Sequence, residues 1–243
     1  MNASTHSILR VARRVRPDQG KAGLATSATT FRGSAIHLGD CFAITCWHVL
    51  VDRNYIEGRW VEENPADFEF EVCSSDRRSI ARVESVVKAS PRHEHDLVLL
   101  KLEPSDSEPW PEVGMRLLGE VNEAFMGPPE KCAGAHLSDC ERAEACGYPG
   151  KGGGKTLAAY PVDVDSFQNR GLDHDTGLLM DWQLRQGGLL PGLSGGAIIG
   201  YRGDQAACLG MPYLGGAGAA TSRVTVSNDI IEFLSDALPE AIL

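Results

Sequence analysis

Along the first hundred residues, short runs of β-branched and apolar side chains alternate with polar, turn-forming stretches. The runs fall at Ser7 to Val11, Ser34 to Leu38, Phe42 to Cys46, Phe68 to Val72, Ile80 to Val87 and Leu97 to Leu102. Segments this short and this regularly spaced predict the strands of a barrel or sandwich. The polar, proline-rich stretch Glu103-Pro-Ser-Asp-Ser-Glu-Pro-Trp-Pro111 then predicts a surface connector, dividing the chain into units 1–110 and 111–243. The pattern resumes with candidate strands at Met115 to Leu118, Arg142 to Cys146, Thr156 to Val164, Leu178 to Leu184, Ala197 to Tyr201, Ala206 to Met211 and Ala219 to Val226. No sequence repeat links the halves. Only at the end does the period change: Ile230, Ile231, Leu234 and Leu238 share one helical face behind Ser227 or Asn228 as a cap. The expectation is an all-β protein with a short amphipathic C-terminal helix docked on a barrel.

Composition supports that picture and narrows the partners. With 243 residues and 42% hydrophobic content the chain can bury a sizeable core. Its 27 glycines and 13 prolines exceed the roughly 12% of average usage, which suits many strands joined by turns. The 33 acidic residues outweigh 23 basic ones for a formal net charge of -10, so the global field argues against nucleic acid as a partner. Arg10, Arg13, Arg14 and Arg16 interrupt the N-terminal apolar pairs, and no stretch there reads as a signal peptide. No segment reaches the ~18 apolar residues of a membrane span. Seven cysteines, an odd number, read as reduced thiols instead of a disulfide framework. A cytoplasmic protein without a membrane partner is expected.

Three segments carry candidate chemistry. Gly192-Leu-Ser-Gly-Gly196 sets Ser194 between glycines, where a tight turn can present the hydroxyl and aim the amides of Gly192 and Ser194 into one pocket. Ala43-Ile-Thr-Cys-Trp-His-Val-Leu50 ends a strand-like run at His48, whose ordinary pKa of ~6.5 suits a general base at neutral pH. Glu94-His-Asp-Leu-Val-Leu-Leu-Lys-Leu102 sets Asp96 at the mouth of a buried strand, where a carboxylate can accept the other imidazole N–H. Each alone has a plain structural explanation: a turn serine, a strand-end histidine, a strand-start aspartate. Together they supply nucleophile, base, orienting acid and oxyanion donors.

In the order His, Asp, Ser these segments resemble the trypsin-like, chymotrypsin-fold serine peptidases, over nearly the whole chain. Gly33-Ser-Ala-Ile-His-Leu-Gly-Asp40 is similar to that family's first-barrel hairpin, Thr45-Cys-Trp-His-Val49 to its histidine motif and His95-Asp-Leu-Val-Leu-Leu-Lys-Leu102 to its aspartate strand. Gly147-Tyr-Pro149 resembles the turn opening the second barrel in bacterial members, and Pro191-Gly-Leu-Ser-Gly-Gly196 the nucleophile motif. The resemblance implies two six-stranded antiparallel β-barrels, with His48, Asp96 and Ser194 as catalytic triad and the amides of Gly192 and Ser194 as oxyanion hole. It implies a peptide-bond hydrolase acting on proteins, with no metal and no organic cofactor.

Departures from the family shape the expectation. Leu193 stands where digestive members carry the aspartate that pairs with a newly cut N-terminus, so regulation is expected through a partner protein or a loop rearrangement. Gly188 falls at the base of the specificity pocket, with Met211, Pro212, Tyr213, Ala219, Ala220 and Thr221 as walls; an uncharged base favours small or apolar P1 side chains. Val49 replaces the cysteine that follows the histidine in digestive enzymes, so the resemblance is closest to bacterial intracellular members without disulfides, some of which serve defence or signalling systems. Two other constellations fail on spacing. Gly150-Lys-Gly-Gly-Gly-Lys-Thr156 lacks the first glycine of a phosphate loop, since Pro149 occupies that place. Cys132, Cys140 and Cys146, near His136, miss the two-to-four-residue pairing of structural zinc sites. The competing readings are a catalytically silent peptidase-fold scaffold and an esterase using the same triad.

Overall fold

The computed structural model describes residues 7–15, 29–39, 41–74, 80–90, 95–103, 141–150, 153–162, 167–168, 182–184, 191–202, 205–214 and 222–238. In chain order the first half contains β1 (Ile8–Val15), β2 (Thr30–Gly39), β3 (Phe42–Cys46), the one-turn helix α1 (Trp47–Leu50), β4 (Arg53–Ile56), β5 (Arg59–Glu62), β6 (Phe68–Cys73), β7 (Ile80–Ser90) and β8 (Leu97–Leu102). Six of these strands close into an antiparallel barrel in the order β1-β2-β3-β8-β7-β6. The alternation read from the sequence explains β6, where Phe68, Phe70 and Val72 turn inward and their neighbours outward. β3 and β8 are buried nearly throughout. Leu9, Val11, Ile36, Ile44, Leu97, Leu99 and Leu102 belong to the buried core, each at most 2% exposed.

The second half contains β9 (Arg142–Gly147), β10 (Ala158–Val162), β11 (Phe167–Gln168), β12 (Trp182–Leu184), β13 (Ala197–Arg202), β14 (Gln205–Leu214), β15 (Ser222–Val226) and helix α2 (Ser227–Ser235). Its strands form one seven-stranded antiparallel sheet, ordered β10-β9-β13-β14-β15-β12-β11 among the described residues. Helix α2 packs on β14 and β15 and reaches β8 of the barrel. Ile230, Leu234 and Leu238 are buried as the helical period predicts, whereas Ile231 is half-buried and Phe233 takes a core position. The predicted strand at Met115 to Leu118, the connector from Pro104 to Pro111 and the boundary at residue 110 lie outside the described residues. No helix among the described residues is long and apolar enough to cross a membrane.

The hairpin β4–β5 was not marked by the apolar pattern. Its turn residues Glu57 and Gly58 have φ of 50° and 79°, the positive pair that a two-residue hairpin turn requires. Arginines fix its base to the barrel: Arg13 bonds Asp52 and Glu63, both at 2.6 Å, and Arg32 grips both Asp52 oxygens at 2.6 and 2.9 Å. Arg32 also donates to the Val49 carbonyl at the end of α1, so the same ions brace the helix that carries His48.

These ion pairs set one pH dependence. The Arg32 hydrogen bond, aided by the charges of Arg32 and Arg13, holds the Asp52 carboxyl below its ordinary value of 3.8. A depressed carboxylate pKa stabilises the fold above the unfolded value and loses that contribution as pH falls through the folded one. Because Asp52 is 44% exposed, solvent screening limits the effect to under about 1 kcal/mol. Asp52→Asn should lower the melting temperature slightly at pH 7, and the gap to the unaltered chain should close in thermal melts taken below pH 3.8.

Candidate active site

His48 and Asp96 meet because β3 and β8 are paired neighbours. Their ladder runs from Phe42↔Lys101 to Cys46↔Leu97, so His48 lies two residues beyond the last rung and Asp96 one residue before it. The turn into β8 puts Asp96 at φ 54°, a left-handed conformation that a short polar side chain tolerates better than most. Asp96 Oδ2 lies 2.6 Å from His48 Nδ1, and Oδ1 accepts the His48 backbone N–H at 3.0 Å. The Asp96 carbonyl accepts from the Trp47 amide at 3.0 Å. Flanking groups hold the turn: Ser90 Oγ accepts from the His95 amide, and Thr225 Oγ1 donates to the His95 carbonyl. The carboxylate is 1% exposed and the imidazole side chain 21%, which leaves the histidine accessible and its partner enclosed. A carboxylate can only accept, so this network assigns the proton to Nδ1 and leaves Nε2 as a lone-pair acceptor.

Ser194 sits on a turn whose backbone is held residue by residue. The Pro191 carbonyl accepts from Gly150 N at 2.5 Å, the Gly192 carbonyl from Ser34 Oγ at 2.9 Å, the Leu193 carbonyl from Gly196 N at 2.9 Å and the Ser194 carbonyl from Ser34 N at 2.9 Å. In a planar trans peptide the N–H points opposite the C=O. Fixing the carbonyls of Pro191 and Leu193 therefore also fixes the amides of Gly192 and Ser194, each pointing away from its own carbonyl's partner. Gly192 adopts φ +96°, and a Cβ there would meet Gly150 N at 2.6 Å and the Phe31 ring at 2.8 Å. At Gly195, φ is +82° and a Cβ would collide with the Ser34 carbonyl and Thr45 Oγ1. Both glycines are required by backbone angle and by space.

One glycine measures how near the two halves of the site come. A Cβ built on Gly33 would stand 2.9 Å from a Val49 methyl and 3.0 Å from the Ser194 carbonyl. The residue after His48 and the backbone of Ser194 thus pack against the same point of β2. Met211 is fully buried, and the buried Pro212 lends its carbonyl to Gly195 N at 3.0 Å and to Cys46 Sγ at 3.5 Å. Tyr213 is half-buried. Of the remaining predicted pocket residues, Gly188, Ala219, Ala220 and Thr221 lie outside the described residues.

Leu193 is 1% exposed and packs against Gly147. No charge anchors the turn at that position. Ser34 was not singled out in the sequence, yet it bridges the halves, accepting from Tyr148 N at 2.8 Å while donating to the Gly192 carbonyl. Nor does a serine inside an apolar strand announce such a role. The glycine-rich stretch after β9 also serves this turn: Gly150 supplies the amide on Pro191, and Arg10 Nε ties the Gly154 carbonyl to β1 at 2.9 Å. Cys146 is a core residue of β9 whose thiol burial pushes up to about 12, with the Glu144 charge adding to the effect. Cys132, Cys140 and His136 lie outside the described residues.

No protein-family model and no curated protein matches this sequence. Solved structures do match in fold. The Rv3671c protease from M. tuberculosis in its active form aligns over 97% of this chain and 82% of its own, with a TM-score of 0.58 and 18% identity. The inactive form of the same protease aligns over 98% and 91%, with a TM-score of 0.52 and 17% identity. The serine endoprotease from Yersinia pestis aligns over 96% and 62%, with a TM-score of 0.50 and 13% identity. The chain has the chymotrypsin fold expected from its motifs.

Ser34→Ala removes the donor to the Gly192 carbonyl and the acceptor for the Tyr148 amide at a site with no exposure. Leaving buried polar groups unpaired costs about 1–3 kcal/mol. Chemical denaturation should read a loss of that size, and hydrogen exchange should speed up at the Tyr148 amide while the amides of β6 keep their protection.

Proposed function

We propose that this chain is a serine endopeptidase that cleaves peptide bonds in protein substrates through an acyl-enzyme intermediate. The observation that carries the reading is the 2.6 Å contact between His48 and Asp96, set beside a serine turn whose carbonyls are engaged from Pro191 to Ser194. Ser194 Oγ attacks the scissile carbonyl carbon as its proton passes to His48 Nε2. The imidazolium then gives that proton to the departing amine, and a water molecule repeats the sequence on the acyl-enzyme. Asp96 keeps the other ring proton on Nδ1, so Nε2 remains the base. The amides of Gly192 and Ser194 receive the oxyanion; in serine peptidases one such donor is worth about 2.7–4 kcal/mol. This sequence of steps calls for no metal and no organic cofactor. The two proteases of like fold add support at the level of architecture.

The finer features of the reading follow from individual residues. An uncharged pocket base at Gly188, with Met211 to Tyr213 and Ala219 to Thr221 as walls, favours small or apolar P1 side chains. Abundant thiols suit a cytoplasmic setting, and a bacterial defence or signalling system is the context we infer. With Leu193 buried and neutral, hydrogen bonds stand in for a charge anchor on the serine turn. An activating protein partner would then act on the segments that flank the turn.

A fluorophosphonate probe should label the intact chain, and Ser194→Ala and His48→Ala should abolish labelling. Asp96→Asn should lower kcat by about 10⁴-fold, the scale seen when the aspartate of such a triad is neutralised. Turnover of peptides at rates comparable with esters separates a peptidase from an esterase. Absence of labelling under every activating condition would leave a binding scaffold instead.

A further inference from the structure

The His48–Asp96 pair has a third neighbour that peptide hydrolysis does not use. Cys46 ends β3, is fully buried, and places its Sγ so that one donor atom from each of Cys46, His48 and Asp96 lies within 4.8 Å of the other two. Thiolate, imidazole and carboxylate are the three side-chain ligand types of zinc, bound at about 2.3, 2.0–2.1 and 2.0–2.2 Å. Around a tetrahedral ion those bond lengths place the donor atoms about 3.4–3.6 Å apart. The 2.6 Å between Nδ1 and Oδ2 must open by somewhat under ~1 Å, and the sulfur must close by at most ~1.4 Å. Those are side-chain movements, and the imidazole retains some exposure through which an ion and a water ligand can enter.

Charge and proton count favour the same arrangement. A thiolate and a carboxylate together neutralise a divalent cation, so the buried site carries no net charge that would oppose its formation. On binding, the Cys46 thiol releases its proton to solvent, and the imidazole proton moves from Nδ1, which now holds the metal, to Nε2. With Nε2 protonated, the ring can no longer accept from Ser194. The Pro212 carbonyl loses the Cys46 contact but keeps the Gly195 amide, so the serine turn stays in place.

We propose that Cys46, His48 and Asp96 form an inhibitory site for a thiophilic divalent cation, zinc above all, that switches the histidine from base to metal ligand. Hard cations such as Mg²⁺ and Ca²⁺, which take oxygen ligands, leave the chain unaffected. The inhibition rests on the peptidase reading; the binding does not.

Cobalt(II) tests the binding directly, because thiolate coordination gives it a near-ultraviolet charge-transfer band. The full chain titrated with Co²⁺ should develop the band at one equivalent, and Zn²⁺ should abolish it. Cys46→Ala and Cys46→Ser should each lose it, two variants guarding against misfolding of one. In parallel, saturating zinc should slow fluorophosphonate labelling of the unaltered chain at least tenfold, and the ratio of labelling rates with and without zinc should return to near one in both variants. A cobalt band or a zinc effect that survives in either folded Cys46 variant overturns the proposal, as does the absence of the band in the unaltered chain. A chain that binds cobalt through Cys46 but is never labelled keeps the metal site and removes the peptidase.

Discussion

Ser34 uses its amide, its carbonyl and its hydroxyl at the junction of the two halves of this protein. The amide donates to the Ser194 carbonyl, the carbonyl accepts from Thr45 Oγ1 at 2.6 Å, and the hydroxyl joins Gly192 to Tyr148. Strand β2 of the barrel is thereby fastened both to its neighbour β3 and to the turn that carries the serine. Each such bond contributes only about 0.5–1.5 kcal/mol net. Their importance lies in direction. The bonds to Gly192 and Ser194 fix the peptide planes on either side of the one that carries the Ser194 amide, and the close approach they demand is what excludes a side chain at Gly33 and Gly195.

A neutral clamp of this kind suits a turn that carries the buried Leu193. A carboxylate at a position 1% exposed would need a cation to offset its desolvation, and breaking such a pair strands a buried charge. Leucine needs no partner. The turn is held by hydrogen bonds from Ser34 and Gly150, which reach it from both halves of the chain. Gly150 extends the scheme from the other side, and so the glycine-rich segment after β9 contributes a backbone amide where a phosphate-binding role had failed on spacing.

Much of this was legible in the chain, for reasons that vary by element. β3 and β8 have the bounds read from sequence because they are largely apolar runs, buried on both faces. β7 was cut short because Val86 and Val87 mark an apolar run while the pairing continues through Lys88 to Ser90. The hairpin β4–β5 escaped because its residues are largely exposed and its turn places Glu57, a residue without left-handed preference, at positive φ. His48, Asp96 and Ser194 stood out through their neighbours in sequence. The bonding roles of Ser34, Tyr148 and Gly150 did not, although each lay in a segment read from the sequence, since no residue type advertises where its amide points.

The register of β3 against β8 puts the proposed metal site on the proposed catalytic pair. Cys46 and Leu97 form the last rung, and the side chains of His48 and Asp96 gather just beyond it. Moving Cys46 away would take a one-residue slip, which would turn every side chain of β3 to the opposite face and exchange the two packed layers that Ala43 through Cys46 now fill. The thiol is therefore locked beside the imidazole by the same pairing that brings the carboxylate to it. In the proposed site an ion that recruits the sulfur takes its next ligands from the His48–Asp96 pair, and the proposed base is lost as a consequence of where the strand ends.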